Sequence, residues 1–287
     1  MANSPTHKFG QIIGDLLEMA IEPQLKKFAD ENGLYLDKKG PRPARNGLKV
    51  AWTDASKNKH DLDFVLERGG TATKIGAPVA FVETAWRRYT KHSRNKAQEI
   101  QGAIDPLAAT YKDSAPFKGV VLAGVFTGGS LTQLKSLGFE VLYFQYEDIV
   151  DSFATVGIDA RFDEKTPDKD MNPKIEAWEK LSDANKSKLV MKILETQKEE
   201  LNRFMGSLLK SVSRKIILIR ILPLFGQNYE LKSVNEAISF IKKYNENAST
   251  CNLIRYEVEI RYGNGDNITA NFAGKDTAIQ FLTGYSI

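Results

Sequence analysis

Residues 119–126 read Gly-Val-Val-Leu-Ala-Gly-Val-Phe, without one polar side chain. A run this apolar and β-branched fits a strand covered on both faces, as in parallel sheets. Helical spacing surrounds it, at 94–110, 129–137 and 146–156, and 141–144 is a second short apolar run. Parallel neighbours need a crossover connection, and helices supply it. Upstream, 48–52, 62–66 and 78–86 are three strand candidates bounded by Gly, Asn and Pro. Residues 9–29 carry apolar groups on one helical face. The expected order is helix, three strands as an antiparallel meander, helix, strand, helix, strand, helix. That order predicts an α/β layer with a mixed sheet flanked by helices.

Beyond 158 the regularity breaks. Residues 159–173 are charged and contain Pro167 and Pro173, which marks a boundary. Residues 174–213 have the spacing of one or two helices. Residues 215–287 read strand, helix, hairpin, helix, with 263–266 (Gly-Asn-Gly-Asp) as the hairpin turn. The expected division is therefore 1–158, 159–213 as linker and helical segment, and 214–287 as a smaller α+β C-terminal domain. No repeat is evident, and none is expected.

The 287 residues suffice for one large domain or two modest ones. With 42% hydrophobic and 26% charged residues, disorder is not the default reading. The net charge of +4 permits a polyanionic partner without requiring one. A single cysteine, Cys251, excludes an internal disulfide, and with three histidines it argues against structural zinc. No apolar run reaches the roughly 18 residues of a membrane span, and the polar N-terminus lacks a signal core, so a cytoplasmic protein is expected.

Chemistry concentrates between 61 and 99. Glu83 lies inside the apolar run Val-Ala-Phe-Val-Glu-Thr-Ala, where an ionised carboxylate is costly unless something pairs with it. Asp63 opens the apolar run Phe-Val-Leu, and adjacent strands would bring the two acids together. Mg²⁺ prefers oxygen ligands and keeps several waters, so two carboxylates and a substrate phosphate suffice to hold it. Asp61 is the rival ligand on the same strand. Lys96 and Glu99 are three apart on the following helix and share a face. The bases Arg87, Arg88, Lys91, Arg94 and Lys96 crowd one stretch that has no acid. Such a cluster beside two carboxylates fits phosphate capture. Each reading has a plainer rival: Asp63 as a strand start, Lys96 and Glu99 as a surface pair, the bases as a solvated loop.

The strand-borne Asp63, the apolar run carrying Glu83 and, two residues on, Ala85, and the helix that follows a basic run together resemble the PD-(D/E)XK nuclease superfamily, whose best-known members are type II restriction endonucleases. The resemblance covers roughly 45–150. It implies a restriction-endonuclease-like core, Asp63 and Glu83 as metal ligands, and Mg²⁺-dependent hydrolysis of DNA phosphodiesters. The family's usual lysine position is Ala85 here. Three readings stand: the lysine has moved to Lys96, residue 85 was changed to trap DNA, or the chain is an inactive relative. Moved lysine is the preferred reading. Glu99 resembles the acidic ligand that some restriction enzymes take from this helix.

In the resulting expectation Asp63, Glu83, Lys96 and Glu99 are catalytic. Asp63, Glu83 and Glu99 hold the metal, and Arg87, Arg88, Lys91 and Arg94 hold double-stranded DNA. A homodimer is expected for double-strand cleavage, with a DNA methyltransferase as a conceivable partner system. The C-terminal hairpin, with Arg255, Arg261 and Asn264, reads bases or joins subunits. Alternatives are a non-cutting DNA binder, a structure-selective repair or recombination nuclease, and an α/β regulatory domain. His92-Ser93 has no third partner for nucleophilic catalysis. The glycines at 124–129 lack the Gly-Lys-Ser/Thr ending of a phosphate loop and read as a strand-to-helix turn.

Overall fold

The computed structural model describes residues 4–163, 165–213, 215–224, 226–247, 253–263 and 267–285; the side chains of Lys91 and Asp113 lie outside the description. The chain divides into two compact units, Met1–Leu208 and Leu209–Ile287.

The first unit is built on a five-stranded mixed sheet. Its strands are β1 (Leu34–Lys38), β4 (Phe64–Arg68), β5 (Ala77–Arg87), β6 (Phe117–Gly124) and β7 (Glu140–Gln145), in that order across the sheet. β1, β4 and β5 pair antiparallel, and β5, β6 and β7 pair parallel. The helices α1 (Pro5–Glu31), α2 (Thr90–Thr110), α3 (Gly128–Ser136) and α4 (Tyr146–Ala154) flank it. On one face Phe81, Ala85, Val120 and Leu122 meet Ala97, Ile100, Ile104 and Leu107 of α2 and Leu134 of α3. Trp86 points the other way along the pleat, close to Gly10 of α1 and stacked near Tyr146.

The expected meander forms only in part. The first strand candidate is β2 (Val50–Thr53), which pairs with β3 (Lys59–Leu62) in a separate two-stranded ribbon. Its place at the sheet edge is taken by β1, whose buried Asp37 disguises it as a polar segment. The second candidate breaks at Asp63 into β3 and β4. α2 begins at Thr90, several residues before the expected start. The glycine-rich stretch after β6 is a strand-to-helix turn: Gly124 sits at φ +98°, and a Cβ there would strike the Arg87 carbonyl.

Residues 159–213 carry the expected helical segment, which starts earlier and holds three helices. They form α5 (Asp168–Glu179), α6 (Asp183–Thr196) and α7 (Lys198–Ser213). α5 packs on α1, and α6 on α1 and α4. Phe204 of α7 lies edge-on to Phe117 and fills the space over Gly119. The division into units falls within α7.

The second unit comprises β8 (Ile216–Leu224), β9 (Tyr229–Leu231), α8 (Val234–Lys243), β10 (Arg255–Tyr262), β11 (Asn267–Phe272) and α9 (Lys275–Thr283). Its antiparallel sheet has the order β11-β10-β8-β9. The expected hairpin strands pair as β10 and β11, while the turn residues Asn264, Gly265 and Asp266 lie outside the described residues. β9 went unexpected, and with it a repeat: strand, strand, helix occurs twice. Ile219, Arg220, Ala237, Ile238, Phe240 and Tyr244 recur at the same spacing as Ile260, Arg261, Ala278, Ile279, Phe281 and Tyr285. Ile219 and Ile260 are direct partners across the central β8–β10 pairing, so the two halves are related about that point. No helix among the described residues is long and apolar enough to cross a membrane.

Candidate active site

The pairing of β4 with β5 builds the centre. Phe64 stands opposite Val82, so Asp63, at the break before β4, comes level with Glu83. Each carboxylate accepts a backbone N–H from the opposite strand segment. Asp63 N–H donates to Glu83 Oε1 at 3.1 Å. Thr84 donates its N–H and its hydroxyl to Asp63 Oδ2, at 2.7 and 2.8 Å. Glu83 is only 8% exposed. Burial, and then the charge of Asp63, push its pKa up to about 8, while Lys96 and the Asp63 N–H pull against that rise. A carboxyl this perturbed by desolvation and a like charge marks a functional site more often than ordinary structure.

Glu18 of α1 lies near enough for its charge to act at this centre, and the sequence reading missed it. Burial, then Asp63 and Asp15, raise its pKa to about 7, with Lys39 drawing it down. Its charge also adds to the rise at Glu83. Asp15, Glu18 and Glu22 fall at helical spacing on α1, a row of acids that would have been the signal.

Lys96 projects from α2 with 21% of its side chain exposed, near enough for its charge to act at Glu83. Glu99 does not complete a ligand set. Its side chain is 60% exposed and faces Lys96 Nζ at 3.6 Å and Arg87 at 3.8 Å. Among the described residues no group of three or more His, Cys, Asp or Glu is arranged around one metal position. Helix spacing carries Glu99 outward, so the expected trio reduces to Asp63 and Glu83. Asp61, the rival, is taken by Lys49 on the β2–β3 ribbon at 2.5 Å.

Ala85 follows Glu83 on the same face and is buried against α2, opposite Leu122. Of the expected DNA-contacting bases, Arg94 is exposed on α2. Arg87 donates to the Trp86 carbonyl. Arg88 turns inward: its Nε donates to the Phe162 carbonyl at 2.6 Å, and its guanidinium stacks 3.9 Å from the Tyr146 ring centre. It is a packing residue, held by an aromatic face that the sequence reading did not place beside it. Lys91 lies in the first turn of α2, with its side chain outside the described residues.

The carboxylate pair suits a hard divalent cation. Both acids offer oxygen, and burial first, then the charge of Asp63, make an ionised Glu83 costly without a cation beside it.

No family model matches the chain, and no curated protein matches it. A crystal structure described as a protein of unknown function, AF1548, is similar over 67% of this chain and 99% of its own, at 11% identity and a TM-score of 0.28.

Proposed function

We propose that the first unit is a Mg²⁺-dependent DNA endonuclease with a restriction-endonuclease-like core of the PD-(D/E)XK kind, cleaving duplex DNA at defined sites. The Asp63–Glu83 pair carries this reading. Two carboxylates are held together by main-chain hydrogen bonds, one is driven up to about 8, and a lysine stands close by. Two acids side by side, one of them buried where ionising it is costly, form an arrangement that a bound cation would relieve.

In this reading Asp63 and Glu83 hold the metal, with Glu18 at its margin. A bound Mg²⁺ supplies positive charge against the phosphate and lowers the pKa of a water. Lys96 stabilises negative charge beside the pair, the task the resemblance gives to the position where Ala85 is packed into the core. Arg87 and Arg94 hold the phosphate backbone, joined by Lys91 as the sequence suggests. Glu99 orients Lys96 and Arg87 through its two ion pairs. Cutting both strands calls for two such centres and hence a homodimer, in which the second unit joins subunits or reads bases; a partner methyltransferase would protect the host's own sites.

Buried Ala85 favours one second reading, a relative that binds DNA and does not cut. Incubating long unmodified duplex DNA with Mg²⁺ separates the two. The native chain is expected to give discrete fragments, and Glu83→Ala and Lys96→Ala to lose at least about a hundredfold in rate. Cutting only after Ala85→Lys would make this chain the silent relative. Cutting that survives Glu83→Ala would remove the pair from the reaction.

A further inference from the structure

The segment between β1 and β2 has more internal wiring than a connection needs. Arg42 is buried and makes a forked pair with Glu67 at 2.6 and 3.0 Å. It also pairs with Asp37 at 2.9 Å and donates to the carbonyls of Thr71 and Lys74. Arg45 binds Asp37 and the carbonyls of Lys38, Gly40 and Gly47. Gly40 N–H meets the Leu48 carbonyl at 2.8 Å and closes the loop on itself. Buried ion pairs of this kind are a poor route to stability, since well-packed apolar groups do as well; what they add is one fixed conformation.

That conformation presents two exposed cations beside the carboxylates. Lys38 is the partner of Phe64 across β1 and β4, so the register carried one residue further sets Lys39 level with Asp63. The Gly40–Leu48 bond brings Lys49 next to it, and Lys49 reaches Asp61, two residues before Asp63. From the other side, α2 brings Lys96, whose charge acts at Glu83, and β5 brings Arg87, which meets Glu99 beside Lys96. The acids therefore lie between two banks of positive charge, of which the sequence reading recognised one.

We propose that the arginine-wired loop 39–49 is a preformed second phosphate grip, in which Lys39 and Lys49 hold the DNA backbone on the side of the cleavage centre opposite α2. This rests on the nuclease reading and narrows its substrate to nucleic acid long enough to fill both banks. A rigid loop loses little entropy on binding, so each contact contributes more. Lys49 exchanges Asp61 for a phosphate when DNA arrives.

Binding of a fluorescently labelled duplex of about thirty base pairs, followed by anisotropy in EDTA across a salt series, tests it. Each phosphate contact adds about 0.9 to the slope of log affinity against log salt, so Lys39→Gln/Lys49→Gln should lower the slope by about 1.8 and weaken binding about tenfold at moderate salt. Lys39→Arg/Lys49→Arg should restore both. Lys180→Gln, an 80% exposed lysine just past the end of α5, should change neither. An unaltered thermal midpoint in each variant certifies folding. A native chain that binds and a glutamine pair that keeps its slope would overturn the second grip alone. A native chain without salt-dependent binding would overturn the nuclease reading, and this inference with it.

Discussion

Glu83 carries its proton more tightly in the folded chain than in the unfolded one, and that fixes the sign of a pH effect. Its pKa rises from an ordinary 4.5 to about 8, so its favourable contribution is complete below about 4.5 and is lost as pH climbs toward 8. Metal-free protein should gain several degrees in melting temperature from Glu83→Gln at pH 8 and almost nothing at pH 4.5; equal gains at both would show that the carboxyl ionises freely. Added Mg²⁺ should stabilise the native chain more at pH 8 than at pH 5.5, and the Gln variant far less at either. Glu83 was legible in the sequence because an acid inside an apolar strand demands a partner. Glu18 was not: the apolar stripe of α1 explains the helix completely, and its acids look like a solvated face until Asp63 is brought beside them. Glu99 and Arg88 were misjudged for a shared reason. Spacing along a chain gives a side chain's face, not whether it turns toward the site or into a neighbouring aromatic.

Among the elements, β1 and the loop after it depend on charge where the rest of the first sheet depends on apolar packing. Asp37 and Glu67 are both buried, and Arg42 answers both. Arg42→Met would leave two carboxylates without their main partner, and unfolding in denaturant should show a loss of about 3 to 5 kcal/mol. A loss below about 1 kcal/mol would mean that the loop relaxes and lets water in. This network explains why β1 escaped the sequence reading: buried charge resembles exposed charge in a list of residues. The covered strands β5, β6 and β7 were plain because their apolar runs admit little else. The break at Asp63 was not, since Leu62 through Leu66 is unbroken apolar pattern apart from that one acid.

At the scale of the whole molecule the two units obey different rules, a layered α/β sheet in one and a duplicated strand-strand-helix in the other. The duplication was hidden in the sequence because its matches fall one or two at a time among unlike residues, and the register of β8 on β10 aligns them. Ile219 and Ile260 face each other at the centre, both fully buried. Truncating either to alanine should cost about 2 to 4 kcal/mol, the two losses being alike, and the double variant should fall short of their sum because the cavities merge. Clearly unequal losses would show that the halves no longer share one core. A dimer of two identical half-length chains must change both copies whenever it changes one. Here Glu259 binds both Arg220 and Arg261, while its counterpart in the other half is Leu218. Joined end to end in a single polypeptide, the halves keep a common shape and are free to differ in chemistry.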